Sequence, residues 1–518
     1  MKLSLSSLAI LAVTFKSSLA AVTSDFVNFV ELDVTNMKIA PDGFLRNTVL
    51  ANGRYPNPPI VAFKGQKLVV KVNNQLTDTN MRVSTSLNLD GVFTSAANAY
   101  NEGSPFVTTC PIAPGNSYTY THDLGSQTGT FWYHSDLSVQ YVDGFRGPLI
   151  IYDLNDPHRS LYDIDDLSTI IQFGDWWHNA SIPMLLGYQA TGVVPISDSG
   201  TVNGVGRYNG GPAVPWSVVN VVSGKRYRMR LINESARNVF TISIDKHRMT
   251  IIEADGVATQ PLTVDVLEML AGQRYSVVVK ADQPVANYWL NAPFVGGVAS
   301  RNPNQNATLS RAILRYKGAP IADPTTPMTS GPTDGVALVE ANLRPLVPET
   351  PPQPDLTLSF DLQVVAGKAI WNVNNVSYVA PKDPTLLKVL AGPVDASTFD
   401  VTENTFVLPI NKTVQIEFPP TDDDDAHPFH LHGNNFWLIK SLSGPDDNEV
   451  NPIRRDIAGV GGSGTKIRFR TDNPGPWFFH CHIYWHRAAG LATVLLQDPD
   501  DSRVEVQPTQ AWQDLCPM

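Results

Sequence analysis

Apolar and polar residues alternate along much of this chain with the two-residue period of half-buried β-strands. Residues 67–72 (KLVVKV), 227–232 (YRMRLI) and 465–470 (TKIRFR) are such runs, rich in Val, Leu and Ile. In the last, Ile467 and Phe469 fall on one face and Lys466, Arg468 and Arg470 on the other. Clusters of Pro, Gly, Asn and Asp separate the runs, and no segment carries a long helical period. The 40 prolines and 36 glycines fit all-β domains with many turns. Two stretches break the pattern: a polar one at 153–166 and a Pro- and Thr-rich one at 319–354. They read as linkers. A chain of 518 residues is too long for one core. It divides into a leader at 1–20 and three pieces of similar size, 21–155, 156–325 and 326–518, each suited to a β-sandwich.

The charge balance narrows the partners. A net charge of -11 and a pI near 5.4 argue against nucleic acid and anionic membrane surfaces. Met1 and Lys2 precede an apolar stretch that ends in small residues at 18–21, the pattern of a secretory signal peptide, and the stretch is too short to span a bilayer. A secreted, extracellular protein with no membrane partner is therefore expected. Five glycosylation sequons follow, at Asn179, Asn233, Asn306, Asn375 and Asn411. The three cysteines are Cys110, Cys481 and Cys516, and an odd number leaves one thiol outside any intramolecular bridge. If Cys481 is a metal thiolate, Cys110 and Cys516 remain as a disulfide joining the first third of the chain to its end. Closing so long a loop stabilises the fold by something on the order of 5 kcal/mol on an entropic account.

Seven of the 11 histidines fall in three short runs: His134; His427, His430 and His432; and His480, His482 and His486. Alternate histidines on a strand share one face about 7 Å apart, a spacing suited to one or two metals. The run HCHIYWH at 480–486 adds a thiolate between two imidazoles. Cys481 and His486 can ligate one metal while His480 and His482 reach another. A cysteine with two histidines is the ligand set of blue copper, completed by a weak axial group.

These runs, together with PDGFLR (41–46), NGVGRY (203–208), TQPLTVD (259–265) and RTDNPGPWF (470–478), resemble those of fungal laccases, which are three-domain multicopper oxidases. The resemblance covers nearly the whole chain after the leader. It implies three cupredoxin-like Greek-key β-sandwiches and copper as cofactor. It further implies a type 1 copper that takes single electrons from phenols or aromatic amines and passes them to a trinuclear cluster that reduces O₂. On that resemblance the type 1 ligands are His427, Cys481 and His486, with Leu491 in the axial position. An apolar axial residue there raises the potential.

The resemblance also exposes departures. Laccases carry His-Trp-His-Gly where this chain has Asn88-Leu89-Asp90-Gly91, and His-Ser-His where it has His134-Ser135-Asp136. Three of eight cluster histidines are replaced. By the family's assignment the type 2 position keeps His430 opposite Asn88, one type 3 position keeps His134 and His482 with Asp90, and the other keeps His432 and His480 with Asp136. Two histidines and a carboxylate suit Fe(II), Mn(II) or Zn(II) better than copper(I). The alternative is that both aspartates are tolerated in an empty, wet site. The positions of the family's second disulfide hold Val142 and Ser235, its substrate-pocket carboxylate corresponds to Ala236, and an acid beside the cluster corresponds to Glu102, placed to pass protons. The run of four aspartates at 422–425 reads either as a solvated loop or as an acidic rim favouring cationic substrates or a basic redox partner. Three functions follow: a phenol-oxidising oxidoreductase with impaired O₂ reduction, a non-catalytic copper partner of another laccase subunit, or an oxidoreductase with a new metal site.

Overall fold

A computed structural model describes residues 27–325, 335–421 and 426–516. The leader and the four aspartates at 422–425 lie outside the described residues. The alternating runs are strands: Lys67–Asn74, Arg226–Asn233 and Thr465–Arg470. In the last, Ile467 and Phe469 are buried as their spacing requires. Arg468 is also buried, although it points to the opposite face. Its guanidinium is gripped by both carboxylate oxygens of Glu449 and by Gln415, which supply the partners that a buried cation needs.

Among the described residues the strands build three pairs of sheets and a small two-stranded one, Leu362–Val364 with Trp371–Val373. In the first pair, a sheet ordered Arg46–Ala51, Val27–Ile39, Lys67–Asn74, Ser117–Asp123 packs on one ordered Ile60–Phe63, Arg146–Tyr152, Gly129–His134, Asn88–Asp90. Leu32, Val70 and Tyr120 from one and Ile60, Phe131 and Leu149 from the other share one core. The middle pair has seven and six strands. The last pair has five each, and one of its sheets runs Thr405–Leu408, Ala492–Gln497, Gly475–Cys481, His427–Leu431, Ile457–Val460. Strands adjacent in space are mostly not adjacent in sequence, as Greek-key connections require, and some pairs are parallel. Each fully buried Val, Leu or Ile in these cores contributes roughly 1.5–3 kcal/mol. The fold is all-β, and helices are short; Ser181–Thr191 ends at Gly192, whose φ of 68° is the left-handed conformation favoured by glycine. No described helix is long and apolar enough to cross a membrane.

The stretches read as linkers are not loose where described. Asp156 and Asp165 bind the buried Arg228 and Arg230, and Ala337 and Pro345 form bridges to strands of the middle unit. At the C-terminus, Thr509 caps the helix Gln510–Leu515, and that helix presses the buried Trp512 onto Tyr100 and the carbonyl of Thr108. Cys516 is bonded to Cys110 across 406 positions. Asn179, Asn306, Asn375 and Asn411 are exposed. Asn233 is not: its side chain is fully buried, donates to the carbonyls of Asn238 and Met269 and accepts from the amide of Ser235. The expectation of a glycan at Asn233 is therefore corrected, because the amide nitrogen is spent inside the fold.

Candidate metal centre

Strand alternation sorts the ligands. In the sheet of the last unit Phe429 pairs with Cys481 and His430 with His480. Cys481, Phe429 and His427 therefore share one face, while His430 and His480 point the other way, toward the first unit. After Cys481 the strand ends and the short helix Tyr484–Ala488 returns His486 to the cysteine. The amide of Cys481 donates to the carbonyl of Leu491, and that of Leu491 to the carbonyl of His486, closing the loop.

His427 Nδ1 lies 3.7 Å and His486 Nδ1 4.0 Å from the Cys481 sulfur, and the two nitrogens are 3.2 Å apart. All three residues and Leu491 are buried. Trp371 stacks on His486 with ring centres 4.5 Å apart and is anchored by donating to the Tyr188 hydroxyl. Burial, then the neighbouring His427 and Arg237, holds His486 well below the ordinary histidine range, so it stays neutral and able to ligate. One soft thiolate and two imidazoles converging in a dry site fit copper.

The second cluster lies between the first and last units, built by Asn88–Asp90 and Gly129–His134 on one side and by His430, His432, His480 and His482 on the other. Nδ1 of His134 and His480 each faces a backbone carbonyl, which can only accept, so Nδ1 carries the proton and Nε2 presents a lone pair. His430 Nδ1 also faces a carbonyl, that of Asp456, but against the opposing effect of burial Asp90 and then Asp456 raise its pKa to about 9, so it holds a proton on both nitrogens near neutral pH. Asp90 is held by Arg274, which donates to Oδ1 at 3.3 Å. Its Oδ2 lies 3.0 Å from His482 Nε2, 3.5 Å from His134 Nε2 and 3.9 Å from His430 Nε2. Burial opposes charge on Asp90, but the surrounding imidazoles, His430 first and then His134 and His482, hold its carboxyl well below the usual range.

Asp136 is placed differently from its expected role beside His432 and His480. Its Oδ1 accepts from Tyr484 at 2.6 Å and forms an ion pair with Arg487, whose other Nη donates to the Asp136 and Ser138 carbonyls. Among the described residues, the groups whose ligand atoms lie within 4.8 Å of one another are His427/Cys481/His486, Asp90/His134/His482 and Asp90/His430/Asp456; Asp136 is in none. The physical reason is charge: a guanidinium buried beside it outcompetes neutral imidazoles for a carboxylate. Burial opposes ionisation of Asp136 too, but Arg487 leads the effects that lower it.

Asn88 does not face an open coordination site. Its Nδ2 donates to the carbonyl and, at 2.7 Å, the carboxylate of Glu102. Glu102 also accepts from Nδ1 of His432, from the Ser104 amide and from the Thr108 hydroxyl. It sets the orientation of His432, and its carboxylate oxygens are fully engaged. His432 and His480 meet Nε2 to Nε2 at 3.0 Å. Arg487, Tyr484, Arg274 and Asp456 were missed by the sequence reading. The signal for the first was a charge one residue after His486 in an otherwise apolar run.

Multicopper oxidase family profiles match residues 33–156, 168–319 and 378–501, most of the chain. The chain belongs to the multicopper oxidase family. Among relatives, this multicopper oxidase is 48% identical to laccase-4 of Thanatephorus cucumeris over 91% of this chain and 90% of that one. It is 41% identical to laccase-2 of Agaricus bisporus over 97% and 95%. In three dimensions it is similar to the laccase of Botrytis aclada, with a TM-score of 0.83 and 30% identity over 95% of this chain and 91% of that one. It is equally similar to Fet3p, described as a multicopper oxidase that functions in iron import, with a TM-score of 0.83 and 29% identity over 95% and 94%. The family uses copper. The residues at the Cys481 site of this multicopper oxidase fit that metal, whereas those at its interdomain cluster do not fit three copper ions: one position faces an amide locked on Glu102, and one carboxylate is taken by Arg487.

Proposed function

We propose that this protein is a laccase-like oxidoreductase that takes single electrons from phenols or aromatic amines at His427, Cys481 and His486, and that its four-electron reduction of O₂ is impaired. The observation that carries the reading is the contrast between the two centres. One brings a complete thiolate and two imidazoles together; the other has lost three histidines, with Asn88 bound to Glu102 and Asp136 bound to Arg487. Copper held by the first would supply one-electron redox chemistry, and the buried, apolar Leu491, which offers no donor atom, would raise its potential.

The chain's own residues prepare the approach of a substrate. A cavity of about 180 Å³ lies beside Ala426 and Ile483, the neighbours of His427 and His482, and is lined by Arg237, Glu268 and Val295. Ala236 is fully buried and brings no acid to it. Glu268 does, and burial, then Glu340, raises its carboxyl. A carboxylate there takes the phenol proton as the electron leaves, which avoids a costly radical cation.

Metal analysis of the purified protein, with its visible spectrum and O₂ uptake on a phenol and an aromatic amine, tests the proposal. About one copper per chain, an intense blue band abolished in Cys481→Ser, and O₂ uptake far below that of a complete laccase are expected. Four coppers and laccase-level turnover would overturn it.

A further inference from the structure

We infer that Asp90, His134 and His482 form a site for a single divalent ion of the zinc class, clamping the first unit to the last. The inference rests on the proposal above only in that the cluster does not take three coppers.

Three observations carry it. The first is spacing. An ion with bonds of about 2.0–2.1 Å separates its ligand atoms by roughly 2.9 Å in octahedral and 3.3 Å in tetrahedral geometry. The Asp90 Oδ2 separations of 3.0 Å to His482 Nε2 and 3.5 Å to His134 Nε2 lie within about 0.2 Å of one or other of those values, and all three atoms lie within 4.8 Å of one another. The second is an orphaned atom. His134 is 1% exposed, and its Nδ1 proton goes to the Ser135 carbonyl. Its Nε2 therefore offers a lone pair to Asp90 Oδ2, itself an acceptor, and has no hydrogen-bond partner. Two buried acceptors aimed at one another call for a cation between them. The third is the support around the carboxylate. Arg274 is forked by Asp456 and donates to Oδ1 of Asp90, which leaves Oδ2 to the imidazoles. A metal ligand steadied by such outer contacts is a built site.

The neighbouring group of Asp90, His430 and Asp456 is the weaker candidate, because the Asp456 carboxylate is already held by both Nη atoms of Arg274. The donor set decides the class of ion. Two imidazoles and a carboxylate suit borderline divalent ions, and the hard oxygen disfavours the copper(I) half of a redox cycle. Since Asp90 and His134 come from the first unit and His482 from the last, binding would stabilise the interface between them.

The test uses the full-length protein as purified. Its copper and zinc are counted by mass spectrometry, it is dialysed against zinc chloride and counted again, and zinc binding is followed by calorimetry and by the thermal midpoint. Expected are about one zinc per chain beside about one copper, and a midpoint that rises with zinc. His134→Gln and Asp90→Asn should each weaken zinc binding at least 10–100-fold and abolish the rise. Retention of the blue band in both variants reports that they fold. His432→Gln, at the other end of the cluster, should keep the zinc. No saturable zinc, zinc binding indifferent to His134→Gln, or a second copper in place of zinc would overturn the inference while leaving the proposed function standing. Four coppers at the outset would overturn both.

Discussion

The ion pair between Asp136 and Arg487 makes a sharp test of why the oxygen-reducing centre is altered. Both side chains are buried, 1% and 6% exposed. Arg487→Leu removes the guanidinium from the Asp136 carboxylate, from the Asp136 and Ser138 carbonyls and from the face of Tyr484, over which it sits at 3.9 Å. Asp136 then keeps only the Tyr484 hydroxyl, since its other oxygen already has no hydrogen-bond partner. Stranding a buried charge costs about 3–5 kcal/mol. The lost cation–π contact adds up to about 2 kcal/mol. Asp136→Asn strands the cation instead, at a similar cost. The double variant removes both charges, so the penalties should fall short of their sum by at least about 2 kcal/mol. The assay is urea unfolding of all four proteins, followed by tryptophan fluorescence at pH 5 and pH 7. Without Arg487, burial would raise the folded-state pKa of Asp136 above its unfolded value. The folded Arg487→Leu protein would then bind more protons than the unfolded chain, and its deficit should widen as pH rises. Penalties that add within about 0.5 kcal/mol, or an Arg487→Leu cost below about 1 kcal/mol, would show that Asp136 is not held by Arg487 and is available as a ligand.

Three further outcomes follow from the same geometry. Restoring Asn88→His, Asp90→His and Asp136→His should leave the copper count near one, because Arg487 stays as a buried cation; adding Arg487→Leu should raise both copper content and O₂ uptake, and a triple variant that loads fully would refute this. Glu234 lies buried beside Arg146 and Asp175, and burial raises its carboxyl to about 8; the folded state then holds a proton that the unfolded chain releases above about 4.5, so stability falls as pH rises from about 5 to 8, and Glu234→Gln should flatten that slope in denaturant midpoints. Replacing Cys110 and Cys516 together with alanine should lower stability by something on the order of 5 kcal/mol, read by unfolding under non-reducing conditions, and an unchanged midpoint would show that docking of Trp512 alone secures the C-terminus.

Residue pattern alone was enough to predict the strands and to single out His427, Cys481 and His486, which the fold brings together. Alternation with a period of two places Ile467 and Phe469 inside whatever their sheet packs on, and it puts Cys481 and His480 on opposite faces. The three cysteines and the family resemblance left Cys110 and Cys516 to pair, as they do. These are local or parity arguments, and they need no knowledge of which segments meet. The environments of Asn233, Asp136 and Asn88 were decided only by tertiary structure. A sequon records three residues, but whether its amide reaches solvent depends on what folds over it, and Asn233 spends its nitrogen on Asn238 and Met269. Asp90 and Asp136 look equivalent in the sequence, each standing where the family has a histidine. In the fold one faces His134 and His482 and the other faces Arg487, 351 positions away. A buried carboxylate takes the strongest cation within reach, and reach is a property of the folded chain.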